Sequence, residues 1–335
     1  MTDQRLELAT AWVKSQLGDS CRVLSLAGDA SFRRYFRVLL DGKSYVLMDA
    51  PPGKEDTSPF LAVRDWLSSA EVRVPDLIAK NREQGFLLLQ DFGDLTWASQ
   101  LTSASKSDAI LDNLFADALN QLGILQRSTP PIRLPDFDVA RMQRECDLYL
   151  DWYLPKVANH QPTASERDVF HAAMLPLLER LEALPKAPVH LDYHSRNLMI
   201  PHDGLPLGVI DFQDAVMGPV TYDLASLLYD CYQLYPEAVR SQQSQRFFEQ
   251  LPLSVRSSFE DFEAWHESLR LTAMQRHIKA IGIFARLAYR DGKHQFLDEI
   301  PLTRIHLHEE MEALALDASG FSLLRIEPQT KGSLS

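Results

Sequence analysis

The residue types and spacings that could do chemistry are concentrated in two stretches, VHLDYHSRNLMI at Val189 to Ile200 and GVIDFQDAVMGP at Gly208 to Pro219. In the first, an apolar run through Leu191 is followed at once by Asp192. Asn197 stands five residues later and opens a second apolar run, Leu198-Met199-Ile200. In the second, Leu207 to Ile210 reads as a strand that ends on Asp211. A strand-loop-strand hairpin of this kind projects one carboxylate and one amide from its loop, and the next strand delivers a second carboxylate to the same mouth. That is the set phosphoryl transfer needs: a carboxylate to take the proton of an acceptor hydroxyl, and oxygen ligands that hold Mg²⁺ on nucleotide phosphates. Asp192 would be the base, with Asn197 and Asp211 as metal ligands. Hard Mg²⁺ is served by one or two protein oxygens plus phosphate oxygens, without an all-protein cage. The plain alternative is a buried hairpin whose acids are turn residues or helix caps.

Such loops need a scaffold, and 335 residues suffice for two lobes and a sizeable core. With 45% hydrophobic and 24% charged residues the composition is that of an ordinary globular protein. A formal charge of -12 argues against nucleic acid as a partner, because phosphate backbones are bound by clustered Lys and Arg. Cys21, Cys146 and Cys231 are odd in number and far apart, which suits buried thiols in a reducing compartment rather than a disulfide framework or a zinc ribbon. The opening MTDQRLELATAWVKSQL reads as an amphipathic helix, not a leader, and no apolar run of about 18 residues occurs. A soluble cytoplasmic protein with no membrane partner is expected.

The elements that position the site read as follows. A helix over roughly 3 to 17 precedes strands near Arg22 to Leu26, Phe32 to Leu40 and Lys43 to Ala50, the last two joined by Asp41-Gly42, a strong hairpin signal. Thr57-Ser58-Pro59 opens a helix to about Ala70. Pro75 to Lys80 and Gly85 to Gln90 are two more strands. Beyond Thr96 the pattern is helical apart from the two catalytic stretches: Ala109 to Leu125, Asp138 to Tyr153, a capping box at Thr163-Ala164-Ser165-Glu166 opening a helix to about Leu184, and Tyr222 to Tyr235. The tail from about Asp317 reads as loosely ordered. The fold class is α+β, with a β-rich N-terminal part and a mainly helical C-terminal part.

The catalytic loop of protein kinases is written H-R-D-x-x-x-x-N and their metal strand D-F-G. Here stand His190-Leu191-Asp192, Asn197 and Asp211-Phe212-Gln213. With Tyr193-His194, Gly218-Pro219 and Asp223-Leu224-Ala225, the pattern resembles the aminoglycoside phosphotransferase family, kinases of small hydroxylated molecules. The resemblance spans roughly residues 20 to 290 and implies a protein-kinase-like two-lobed fold. It makes residues 1–91 the nucleotide-binding lobe and 92–335 a helical lobe with the catalytic loop and acceptor site. ATP would lie in the crevice between them with Mg²⁺. The turn at Gly28, Ala30 and Ser31 takes the place of the nucleotide-covering loop, although one Gly stands where protein kinases have three. The backbone of Gln90, Asp91 and Phe92 takes the place of the adenine-binding hinge. Asp223 would support the backbone of the catalytic loop, with His190 in a similar supporting place. Met48 occupies the position of the phosphate-pairing Lys, so a substitute cation is sought in Arg33, Arg34 or Arg37. Strand alternation puts Arg33 and Arg37 on one face and Arg34 on the other.

Ala264 to Lys293 carries six bases against two acids in a chain that is acidic overall. Arg276, Lys279, Arg286, Arg290 and Lys293 share one helical face. Such a face could bind an anionic or neutral acceptor and disfavours a polycation; a solvated face answering acids elsewhere is the other reading. His194 and Arg196 share the catalytic loop and are candidates to contact the acceptor. Within the family the chain is most similar to bacterial kinases that phosphorylate N-acetylated amino sugars at the anomeric hydroxyl in peptidoglycan recycling, which implies a small-molecule sugar as partner. Two alternatives stand beside it: a kinase of another alcohol (aminoglycoside, homoserine or choline), or an inactive nucleotide-binding regulator.

Overall fold

The structure, a computed structural model, describes residues 3–26, 32–103, 108–204 and 206–329. Helix α1 (Gln4–Leu17) is capped by Asp3, whose carboxylate accepts the Leu6 N–H at 3.0 Å. It leads into β1 (Arg22–Ser25), β2 (Arg34–Leu40) and β3 (Lys43–Asp49), with α2 (Ser58–Ser69), β4 (Leu77–Asn81) and β5 (Phe86–Gln90) following. The five strands form one antiparallel sheet in the order β1-β2-β3-β5-β4. Asp41 and Gly42 both take positive φ, 47° and 77°, the backbone that a tight hairpin requires.

Strand alternation sends apolar side chains to both faces of this sheet. Phe36, Val38, Leu47, Phe86 and Leu88 pack with Ala9 and Val13 of α1. Met48, Leu87 and Leu89 face the other way, into the main core with Phe60, Leu61 and Trp66 of α2. A sheet covered on both faces buries its apolar residues without a solvent side, hence the unbroken Phe86-Leu87-Leu88-Leu89 run.

The C-terminal part contains α3 (Trp97–Ser103), α4 (Asp108–Arg127), α5 (Val139–Leu148), a π-helical turn at Tyr149–Tyr153, α6 (Leu154–Lys156) and α7 (Ala164–Ala183). After the catalytic hairpins come α8 (Tyr222–Leu228), α9 (Glu237–Gln250), α10 (Leu253–Arg256), α11 (Phe262–Asp291) and α12 (Ile300–Ala313), with short 3-10 turns at His294–Glu299 and Ser322–Arg325. The capping box at Thr163 and Glu166 is present. Among the described residues no helix is long and apolar enough to cross a membrane.

Three expectations need correction. The helix read through Tyr153 turns π-helical at Tyr149, where Pro155, which would press on the carbonyl four residues back, calls for a wider turn. The helix read from Tyr222 to Tyr235 stops at Leu228, because Tyr229 leaves helical geometry and Asp230 gives its carboxylate to backbone elsewhere. The tail read as loose is docked as far as residue 329: Leu323 and Leu324 are buried, and the hydroxyls of Tyr149 and Tyr153 donate to the carbonyls of Leu323 and Ile326.

Helix α11 passes so near the end of α5 that a Cβ on Gly282 would lie 2.4 Å from the Leu148 carbonyl carbon and 2.5 Å from the Tyr149 nitrogen. Backbone cannot yield as a flexible side chain can. Gly282→Ala should therefore destabilise the fold by about 1–3 kcal/mol, the usual cost of overpacking, exceeding the gain of about 1 kcal/mol from helix propensity. A lower denaturant midpoint in equilibrium unfolding is the expected result.

Candidate active site

Two small antiparallel pairs hold the chemistry: β6 (Lys186–Val189) with β9 (Val216–Pro219), and β7 (Leu198–Met199) with β8 (Gly208–Val209). Asp192 lies in the loop from β6 to β7, Asn197 at its end, and Asp211 just past β8. The loop is tied across itself. The Asp192 carbonyl accepts the His194 N–H at 3.0 Å and Nδ2 of Asn197 at 3.0 Å. That second bond commits the NH₂ half of the Asn197 amide to the loop and leaves Oδ1 as the half able to ligate a cation. Ile210 N–H donates to the Asn197 carbonyl at 3.1 Å, so Asn197 and Asp211 are carried on directly bonded backbone. Oδ1 of Asp211 accepts from Gln213 at 2.9 Å.

His190 joins the same two segments. Its Nε2 donates to the Ile210 carbonyl at 3.0 Å, and its Nδ1 accepts the Asp192 N–H at 3.2 Å. Asp223, fully buried on α8, accepts the N–H groups of His190 at 2.7 Å and Leu191 at 3.1 Å, one on each oxygen. Thr221, not Asp223, is the N-cap of α8, so the supporting role read for Asp223 is the one its contacts fit. Leu191 and Asp211 hold φ of 78° and 65°, left-handed values that branched or bulky side chains avoid. Outliers of this kind flank Asp192 and the proposed metal position, where a loop held by many bonds can retain them.

Asp192 is half-buried. Burial pushes its carboxyl up, but the charge of Lys279, with His194, His190 and Arg276, outweighs burial and holds it below the ordinary carboxylate value. The structure thus brings two of the basic residues of α11 to the catalytic loop. Arg276 is buried, stacked over the Tyr222 ring at 5.3 Å, with Nε and Nη1 lacking a hydrogen-bond partner. Lys279 lies 3.4 Å from the Tyr222 hydroxyl and 3.6 Å from Glu145. Arg286 sits about two turns further along α11, half-buried. His194 is held below the ordinary histidine value by burial; its ring meets Tyr232 edge-on at 5.2 Å and its Nδ1 has no partner. Arg196 stacks 3.6 Å above the same Tyr232 ring and pairs with Glu299.

Between the sheet and these loops is a cavity of about 360 Å³ lined by Gln90, Asp91, Phe92, Asn197 and Asp211 together with Val46, Leu89, Met199 and Ile210. Asp192 is outside this lining. The Asp91 carboxylate is engaged by Arg37 at 2.7 Å and by Gly93 N–H at 2.8 Å, and the Phe92 ring is buried against Gly208. At these two positions it is the backbone, not the side chain, that remains for a nucleobase. Gly28, Ala30 and Ser31 lie outside the described residues. Arg33, just before β2 and outside the cavity lining, is paired with Glu55 at 3.3 Å and within electrostatic reach of Asp214. Arg34 is not brought to the cavity. It points to the α1 face, where it and Arg5 neutralise the buried Asp49.

The protein donors fit a hard cation only in company with phosphate oxygens. Among the described residues no group of three His, Cys, Asp or Glu side chains could hold a metal alone. One carboxylate and one amide oxygen on adjoining backbone is a set Mg²⁺ accepts when a nucleotide supplies the rest.

Residues 22–257 match the profile of the phosphotransferase enzyme family. The chain belongs to that family. Phosphotransferase relatives include an N-acetylmuramate/N-acetylglucosamine kinase of Pseudomonas putida, 37% identical over 320 residues and covering 92% of each chain. One of the same name from Neisseria meningitidis is 38% identical over 279 residues, covering 82% of this chain and 81% of its own. Among solved structures, a choline/ethanolamine kinase family protein from Mesorhizobium loti superposes with TM-score 0.63 at 15% identity, over 96% of this chain and 100% of that one. An aminoglycoside phosphotransferase in ternary complex with AMP-PNP and hygromycin B gives 0.59 at 14%, over 91% and 98%. These likenesses establish the protein-kinase-like fold of this phosphotransferase, a β-sheet lobe on a helical lobe.

Sequence reasoning passed over Asp230. Its Oδ2 accepts the Ser195 N–H and its Oδ1 the Tyr232 N–H, both at 2.8 Å, tying the catalytic loop to the end of α8. No signal marked it, since the helix read from Tyr222 to Tyr235 places Asp230 in its interior and only the structure ends that helix at Leu228. Asp223 offers a pH test. Burial pushes its carboxyl up to about 6 against the pull of His190 and of the two N–H groups. Below that pH one oxygen carries a proton and can no longer serve as acceptor to both N–H groups. Turnover should fall on an acid limb near pH 6, which Asp192, held low, cannot produce. Because the folded carboxyl binds its proton more tightly than the unfolded one, this group favours the folded state as pH falls through 6, so the limb is not unfolding. Asp223→Asn should turn over slowly at every pH and lack the limb.

Proposed function

We propose that this chain is an ATP-dependent kinase of N-acetylmuramate and N-acetylglucosamine that transfers phosphate to the anomeric hydroxyl, serving the recycling of cell-wall sugars in the cytoplasm. What carries the reading is the likeness over about nine-tenths of the chain to kinases of that name. The sheet lobe, residues 1–91, and the helical lobe, residues 92–335, hold ATP between them. The Gln90 to Phe92 backbone meets the base and Arg33 serves the phosphates; Gly28, Ala30 and Ser31, assigned to the phosphates with it, lie outside the described residues. Asp192 accepts the proton of the attacking hydroxyl. Asn197 Oδ1 and the Asp211 carboxylate would hold Mg²⁺, which would supply positive charge where negative charge builds up on the phosphate oxygens.

A carboxylate held below its usual value is a weak base, which suits an acceptor more acidic than an ordinary alcohol. An anomeric hydroxyl is one. His194 and Arg196 face the sugar from the catalytic loop. Arg276, Lys279 and Arg286 give the acceptor side a positive potential, which favours the carboxylate of N-acetylmuramate, tolerates neutral N-acetylglucosamine, and repels polycationic aminoglycosides.

The test is Mg-ATP consumption by the purified chain with N-acetylmuramate, N-acetylglucosamine, kanamycin, homoserine and choline offered separately, and phosphorus NMR of the product. A sugar 1-phosphate from the two amino sugars alone is expected; turnover of another acceptor in their place overturns the substrate assignment. Asp192→Asn should bind nucleotide nearly as well as the parent and lose about 10²- to 10⁴-fold in turnover, the worth of a general base. Near-normal turnover would remove Asp192 from that role. Asp211→Ala should abolish the Mg²⁺-dependent part of nucleotide binding, read by calorimetry with and without the metal.

A further inference from the structure

Behind the catalytic loop, α11 and α12 bury a pair of titratable side chains that the reaction does not touch. His277 and Glu310 are both fully buried, with Nδ1 of the imidazole 2.8 Å from Oε2 of the carboxyl. The other ring nitrogen, Nε2, is 2.8 Å from the carbonyl of Tyr229. Tyr229 ends α8 and immediately precedes Asp230, whose carboxylate holds the N–H of Ser195 in the catalytic loop. The chain of contacts from Glu310 therefore ends on the backbone between Asp192 and Asn197.

Hydrogen-bond chemistry leaves the protons two arrangements, imidazolium with carboxylate or neutral imidazole with carboxylic acid, and the unpartnered oxygen of Glu310 favours the second. A carbonyl only accepts, so Nε2 carries hydrogen. In a neutral imidazole Nδ1 is then an acceptor, and its partner must donate. Glu310 donates only as a carboxylic acid. Its second oxygen, Oε1, is buried with no partner, which a neutral carbonyl oxygen tolerates far better than an ionised one. The surroundings agree. Arg240 is held by Nδ1 of His306 at 3.2 Å and by Glu309 at 2.8 Å, and the His306 ring stacks on His277 at 5.2 Å. Burial pushes His277 down to about 3 and Glu310 well above the usual carboxyl value, so both shifts leave the proton on the acid.

We propose that Glu310 is a positioning residue for the catalytic loop, acting as a neutral carboxylic acid that fixes the His277 tautomer and, through the Tyr229 carbonyl, the setting of Asp230 and Ser195. The assignment rests on the Asp192 loop being the catalytic one, and its test includes measurements that do not. Glu310→Ala should lose about 10²-fold in turnover, the cost of displacing a catalytic group by ~1 Å, with KM for ATP unchanged. Glu310→Gln, whose amide NH₂ can donate to Nδ1, should recover most of that loss. Independently of any acceptor, hydrogen exchange at the Ser195 and Tyr232 amides should quicken in Glu310→Ala and not in Glu310→Gln. The infrared spectrum at neutral pH should contain a protonated-carboxyl band that Glu310→Gln lacks. A Gln variant as impaired and as fast-exchanging as the Ala variant, an Ala variant indistinguishable from the parent, or the absence of the carboxyl band would each overturn the proposal. Should Glu310→Ala not fold, the Gln variant and the infrared band decide it.

Discussion

A single buried carboxylate fixes the geometry on which the site depends. Asp223 has both oxygens occupied by backbone N–H groups of His190 and Leu191. That contact holds Leu191 at φ 78°, a conformation that costs about 1–3 kcal/mol wherever the surroundings do not over-determine it. The left-handed residue turns the chain from β6 so that Asp192 leaves the strand at once. Helix α8 is the strut behind this arrangement, since all seven of its residues are buried. Its front end carries Asp223 and its rear leads to Asp230, so one short helix grips the loop at two points. Backbone amides are the right groups to grip, because they fix the loop without using any side chain the chemistry needs.

Charge is distributed with the same economy. In the sheet lobe the arginines are matched with acids: Arg34 and Arg5 with Asp49, Arg33 with Glu55, Arg37 with Asp91 and Asp94. In the helical lobe Arg276 and Lys279 rest on the Tyr222 ring next to Asp192, with Glu145 beside Lys279 and Asp223 within electrostatic reach of Arg276. A chain of formal charge -12 therefore concentrates positive potential behind the Asp192 carboxylate. Partial burial weakens screening there, so this potential outweighs the cost of desolvating Asp192 and keeps its carboxyl low.

The residues proposed for catalysis stand out in the sequence because they are punctuation: Asp192, Asn197 and Asp211 each break an apolar run, and a polar residue at a strand end has few reasons to be there other than turn geometry or chemistry. Supporting residues that act through backbone were harder to see. Asp230 interrupts nothing periodic, and its partners, Ser195 and Tyr232, are amides that any sequence would supply. Arg34 was offered for phosphate because arginine type says what it can bind and not which carboxylate it meets; the buried Asp49 on the next strand decided that. The π-helical turn at Tyr149 was hidden because its apolar spacing continues that of α5, and only the Pro155 that follows hints at the change of register.

Met48 in place of a phosphate-pairing lysine on β3 is not one substitution but a change of the whole contact. Met48 is fully buried in the cluster that includes Phe60, Leu61 and Val63 of α2, and the buried face of that helix carries no acid. Apolar packing thus stands where the resemblance puts a phosphate-pairing Lys. A buried ion pair is sensitive to the removal of either partner, whereas an apolar contact of similar volume costs no desolvation. The joint between β3 and α2 is accordingly a stable part of the core and does not have to be assembled before nucleotide can be held. Under the proposed function, positive charge for the phosphates is then left to Arg33, to the basic residues of α11 and to a cation that Asn197 and Asp211 would hold.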